Sequence, residues 1–112
     1  MIRDTAQRCA ICQRLLQLGG LDAEMLWTDE GPTEEASALV FAPVNLDGSQ
    51  IVLLRLAWDV WSGSGGCRVV DLLHHLGKNM RAVGELVTAL ADDAGALDAW
   101  LEEWRLPRRS DG

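Results

Sequence analysis

From Gln50 to Trp61 the chain runs twelve residues in which only Gln50, Arg55 and Asp59 are polar. Val and Ile at positions 51, 52 and 60 would suit a strand, but a fully buried strand is usually about 4–8 residues long. Twelve residues with Arg55 and Asp59 four apart fit a helix, where those two side chains are neighbours. A helix apolar nearly all round must be buried, so the rest of the 112-residue chain has to wrap it. The two charges also break the run well short of the roughly 20 apolar residues that a membrane span needs.

What flanks this segment reads as further helices. Thr5 to Leu18 is bounded by Asp4 as a cap, Gln7 three residues on as the partner in a capping box, and Gly19-Gly20 as a stop. On its wheel Cys9, Ile11, Cys12, Leu15, Leu16 and Leu18 share one half, and Arg8 is the misfit among them. Asp22 caps a short turn over Leu21–Trp27. Gly31-Pro32 marks a break, and Thr33 caps a helix over Glu34–Ala42 with two glutamates in its first turn. Asp47 or Ser49 opens the central helix, and Ser62 to Gly66 is a loop. Two helical patterns follow, Val69–Leu76 and Met80–Ala91, split by Gly77-Lys78-Asn79; Gly84 weakens the second unless close packing requires it. The last, over about 95–105, sets Leu97, Trp100, Leu101 and Trp104 on one stripe, and the tail from 107 is expected to fray. The expected architecture is all-α: one domain of five to six short helices around residues 50–61.

At this length a chain buries roughly two-thirds of its unfolded surface, which makes a core without staples. Apolar residues are 48% and charged residues 24%, which excludes wholesale disorder. Cys9, Cys12 and Cys67 are an odd set, unlike a disulfide framework, and Met1-Ile2-Arg3-Asp4 does not begin an apolar leader. The compartment expected from these two features is the cytoplasm, and no membrane association is expected. The net charge of −7 is unevenly placed. Residues 19–36 carry Asp22, Glu24, Asp29, Glu30, Glu34 and Glu35 with no base, and residues 92–104 carry Asp92, Asp93, Asp98, Glu102 and Glu103 with no base. Such blocks either form solvated faces and helix starts or make a docking surface for a basic partner, and they suit phosphate backbones poorly.

Four constellations invite a functional reading. Cys9-x-x-Cys12 with Cys67 and His74-His75 has ligand chemistry suited to zinc. However, the first two cysteines lie three apart on an apolar helix face, where thiols act as small hydrophobes. No metal and no cofactor are expected. Residues 69–91 resemble the helix-turn-helix of bacterial regulators, with Leu72, Leu73 and Leu76 facing Val83 and Leu86 across Gly77. Leu73 stands where that pattern wants a small residue, and the second helix offers only Lys78, Asn79 and Arg81 to a nucleic acid. The five tryptophans include Trp58 with Trp61 and Trp100 with Trp104. Trp58 is expected in the core, while Trp100 and Trp104 are candidate interface anchors, including for a homodimer. No nucleophile elbow, P-loop or HExxH is present, and exposed acids without a pocket make no acid/base pair, so no enzyme is expected.

Ala57-Trp58-Asp59-Val60-Trp61-Ser62-Gly63-Ser64-Gly65, then Asp71-Leu72-Leu73 and Trp100-Leu101, resembles small uncharacterised bacterial proteins sharing an AWDxWxGxG…DLL pattern. The resemblance covers the C-terminal half, implies a helical fold and transfers no site. The expected function is therefore a non-enzymatic, acidic interaction module, an adaptor or inhibitor in a regulatory, defence or mobile-element system. Its expected contact residues are Asp22, Glu24, Asp29, Glu30, Glu34 and Glu35, with Trp100 and Trp104. The alternative is a DNA-binding regulator using residues 69–91.

Overall fold

The computed structural model describes residues 1–63, 66 and 68–105. It is 71% helix, with seven α-helices among the described residues counting the single turn of α2. In chain order these are α1 (Thr5–Leu18), α2 (Ala23–Leu26), α3 (Glu34–Phe41), α4 (Gly48–Ser62), α5 (Val69–His75), α6 (Met80–Leu90) and α7 (Ala94–Glu103). A two-residue antiparallel hairpin, β1 (Trp27–Thr28) with β2 (Gly31–Pro32), joins α2 to α3. A 3-10 turn, Gly77–Asn79, leads into α6. The expected tail from 107, the loop residues Ser64 and Gly65, and Cys67 lie outside the described residues.

Helix starts follow the capping chemistry. Asp4, Asp22, Thr33, Asp47 and Asp93 each accept the backbone N–H three residues on, at 2.8–3.3 Å. Only Asp47 completes a reciprocal box, with Gln50 Oε1 accepting the Asp47 N–H at 3.1 Å. Gln7 departs from its expected box. Its Oε1 accepts the Arg3 N–H at 2.6 Å, while its Nε2 donates to the Ala94 carbonyl at 2.9 Å and to Asp98 at 3.0 Å. A buried amide thereby ties the start of α1 to the start of α7.

The core forms where α1 lies along α4, the largest helix–helix contact among the described elements. Cys9, Ile11, Cys12, Leu15 and Leu16 on α1 and Val52, Leu53, Leu54 and Ala57 on α4 are all buried. The Cys12 Sγ donates to the Ala57 carbonyl at 3.3 Å. At about 25 cal/mol per Å² of apolar surface removed from water, this face supplies much of the driving force for folding. Arg8, the misfit of the helical wheel, reaches α4 instead of solvent: its Nη1 donates to the Val60 and Trp61 carbonyls at 3.0 and 3.1 Å. Those carbonyls lie in the last turn of α4, where intrahelical donors run out and the helix dipole favours a cation.

α4 is central but not buried all round. Ile51, Leu56, Trp58, Val60 and Trp61 are only half-buried, because α3 and α5, the helices against its other sides, have eight and seven residues and cover it incompletely. Trp58 is thus at the margin, and the tryptophan it packs against, Trp27, is in the core at 1% exposed. Its ring meets Trp58 and Trp61 edge-on, with centroids 5.7 and 6.1 Å apart. Gly31 makes room for this cluster: its φ is +142°, and a Cβ there would stand 2.8 Å from the Trp61 ring.

Two stability outcomes follow from this packing. Trp27→Ala should cost about 3–5 kcal/mol, more than Trp58→Ala, in paired denaturant titrations, since Trp27 has no exposed edge to lose cheaply. Gly84 lies on the exposed side of α6, and a methyl group added to its Cα would meet nothing within 4 Å. No packing requires it, so Gly84→Ala should raise stability by about 0.5–1 kcal/mol and lift the thermal midpoint.

Candidate interaction surfaces

α2, the hairpin and α3 pack into one edge that carries the first acidic block. Asp22 spends its carboxylate on the Met25 N–H at 3.2 Å, and Glu24 follows in the first turn of α2. Asp29 and Glu30 form the tip of the hairpin, where Thr28 Oγ1 accepts the Glu30 N–H at 3.1 Å and donates to the Gly31 carbonyl at 2.9 Å. Glu34 and Glu35 open α3, whose cap Thr33 also holds α2, its hydroxyl 2.9 Å from the Met25 carbonyl. All six acids are exposed, and among the described residues none of them makes an ion pair. An open cleft of about 410 Å³ runs beside them, lined by Gln13, Gln17, Glu24, Trp27 and Asp29.

The second acidic block is spent differently. Asp93 caps α7. Asp98 pairs with Arg3 at 2.5 Å and accepts from Gln7, and the Arg3 guanidinium above all holds its carboxyl below the usual carboxylate range. Glu102 pairs with Arg105 at 3.2 Å. The Asp92 carbonyl accepts the N-terminal ammonium. The two blocks look alike in sequence and differ in what the fold does with them.

Neither expected tryptophan anchor stands free. Trp100 is 3% exposed, with its Nε1 donating to the Ala82 carbonyl at 2.9 Å, so it belongs to the α6–α7 core and offers nothing to a partner. Trp104 is half-buried; its Nε1 donates to Glu85 at 2.7 Å and Arg81 sits over its ring at 5.9 Å. The physical reason is shared: α6 and α7 pack through the stripe that carries both rings. Among the described residues the large exposed apolar side chains lie elsewhere, at Met1, Met25, Phe41, Val44, Val69, Val70, Leu73 and Val87.

Among the described residues the sulfur and imidazole groups are not brought together. Cys12 meets Ala57, in the second half of α4, whereas His75 packs at Gly48, its first residue. Nine helical residues separate those points by roughly 14 Å. Burial pushes the thiols of Cys9 and Cys12 up, Cys12 far more, and the indole of Trp27 offsets only part of the shift at Cys9. Residues 69–91 also sit otherwise than expected. α5 packs on α4 and α6 on α7. Leu72 is half-buried, Leu73 is 67% exposed, and only Leu76 of the three leucines is buried.

No family model, no curated protein and no solved structure matches this chain.

Thiols that are buried and held protonated should be chemically silent. In a Cys67→Ser background, Cys9 and Cys12 should resist alkylation by iodoacetamide in the folded protein and react only in denaturant. Rapid labelling of either in buffer would contradict their burial.

Proposed function

We propose that this protein is a non-enzymatic, acidic interaction module that docks a basic protein surface along the α2–hairpin–α3 edge, as an adaptor or inhibitor. The single observation that supports the reading is the contrast between the acidic blocks. Asp98 and Glu102 have arginine partners, while Asp22, Glu24, Asp29, Glu30, Glu34 and Glu35 are exposed without one among the described residues. Capping uses one acid of the six, and helix N-termini favour Glu24, Glu34 and Glu35 by a few tenths of a kcal/mol each. The remaining like charge repels itself, and a cationic partner relieves that repulsion. The same field speeds encounter and makes the rate depend on salt. The apolar Met25 within this edge, 51% exposed, gives the contact an uncharged component.

Charge reversal on the edge separates docking from folding. Glu24→Lys, Asp29→Lys and Glu30→Lys together should leave the thermal midpoint within a few degrees, because exposed charges are worth about 0–1 kcal/mol each. The probe is a Lys/Arg-rich amphipathic peptide, with association followed at low and high salt. The wild type should bind faster at low salt, and the triple variant should lose that acceleration. A salt-independent rate in the wild type would reduce the edge to a solvated face. Retention of the wild type on heparin at low salt would favour instead a nucleic-acid reader working through residues 69–91.

A further inference from the structure

We propose that Arg14 and Arg105 together bind a carboxylate monoanion where α1 and the end of α7 lie side by side. Arg14 is half-buried, and two of its nitrogens, Nε and Nη1, are shut off from solvent. Among the described residues neither meets a hydrogen-bond acceptor. A guanidinium carries five N–H groups and stays charged in proteins. Where water does not reach, it is seldom left without acceptors, because the desolvated cation then has nothing in exchange for its hydration. Arg3 and Arg8, earlier in the chain, both find theirs, in Asp98 and in the Val60 and Trp61 carbonyls.

The fold explains why Arg14 does not. Gln7 fixes α1 against α7 through Ala94 and Asp98. Arg14 follows Gln7 by two helical turns on the same face of α1, and Arg105 follows Asp98 by the same seven residues. The charges of Arg105 and Glu102 both act on Arg14. Burial first and Arg105 second pull the Arg14 pKa below the ordinary guanidinium value, and Glu102 opposes them only in part. Glu102 is committed to Arg105, at 3.2 Å. Two guanidiniums thus share one carboxylate, which leaves a single local positive charge in a chain of net charge −7. That balance favours a monoanion over a dianionic phosphate, and a planar carboxylate matches the N–H fork of a guanidinium. Arg105 and Glu102 are exposed, so the site is open to solvent on their side. It shares no residue with the α2–hairpin–α3 edge and stands or falls independently of docking there.

Side-chain NMR tests it directly. The Nε–H resonance of Arg14, assigned from its absence in Arg14→Lys, is followed during titration at fixed ionic strength with sodium chloride as the balancing salt. Sodium acetate should shift that resonance saturably. An acetylated alanine tripeptide, with a free or an amidated C-terminus, separates the two sources of a carboxylate. Tighter binding of the free-acid peptide than of acetate identifies a chain terminus as the ligand, and equal binding identifies a small free acid. Arg105→Met, at an exposed position, should weaken binding by about tenfold or more, since it removes one cation and frees Glu102 for Arg14. Glu102→Gln should tighten it by about threefold or more, because the competing carboxylate is gone. Glu103→Gln changes the net charge equally at an exposed neighbour and should leave binding within about twofold. A resonance that saturates with neither acetate nor the free-acid peptide, binding unaltered by Arg105→Met, or equal effects of Glu102→Gln and Glu103→Gln would each overturn the proposal.

Discussion

The contact of α1 with α4 is the constraint on which the other elements depend. It is apolar along its length and polar at its ends. Arg8 closes the last carbonyls of α4, and Gln50 at the other end donates to the Gly19 carbonyl at 3.0 Å. Asn79 adds a bond to the Leu18 carbonyl at 3.1 Å, so the 3-10 turn before α6 is fastened to the end of α1. Gln7 fastens α7 to the start of the same helix. Hydrophobic burial supplies most of the energy without direction, whereas these few amide and guanidinium bonds fix register and orientation. A buried carbonyl left without its donor costs about 1–3 kcal/mol, enough to penalise a slipped packing.

The same frame explains why two acidic runs of similar composition have different surroundings. Residues 92–104 follow α6 and pass beside the N-terminus and Arg3, which the α1–α7 tie brings close. Residues 19–36 leave the end of α1 and fold back as α2 and the hairpin, a path on which the sequence offers no base. Ion pairing here is a result of topology acting on a fixed set of charges. Exposed pairs such as Arg3–Asp98 add little stability, so the greater consequence is electrostatic: the block at 92–104 is compensated in part, through Asp98 and Glu102, and the block at 19–36 keeps its field.

Much of this is legible in the sequence, and the parts that are not have physical causes. The caps at Asp4, Asp22, Thr33 and Asp47 are readable because capping is local, whereas the cap at Asp93 emerges only with the structure. Helix type and extent follow from periodicity within a residue or two. Burial around α4 does not follow, since an apolar helix can be flanked by partners too short to cover it. Trp27 escapes sequence reasoning because its burial depends on a hairpin of two-residue strands, which has no periodicity to detect. Trp100 and Trp104 occupy the expected stripe, but stripe position cannot say whether the facing helix reaches them. Arg8 is the informative anomaly: a charge on an apolar face marks the spot where another helix ends. For the candidate surface, the six acids are visible in sequence, while their lack of ion pairs among the described residues requires the fold.

α5 shows what the core does not hold. Its seven residues bury no side chain, carry no side-chain cap at Arg68, and leave Val69 and Leu73 in water. Isolated helices of that length are unstable in water, because nucleation fixes several residues before the first bonds repay it. What retains α5 is contact on one side only, through half-buried Leu72 and through His75 at Gly48 of α4, followed by buried Leu76. Such a segment belongs to the low end of the range of local opening free energies, well below the α1–α4 core. Opening it would leave Arg8, Gln50 and Gln7 in place, since none of their bonds runs through α5. The chain thus couples a frame fixed by hydrogen-bonded amides to a short helix held mainly from one side, and loss of that helix leaves the frame's own bonds intact.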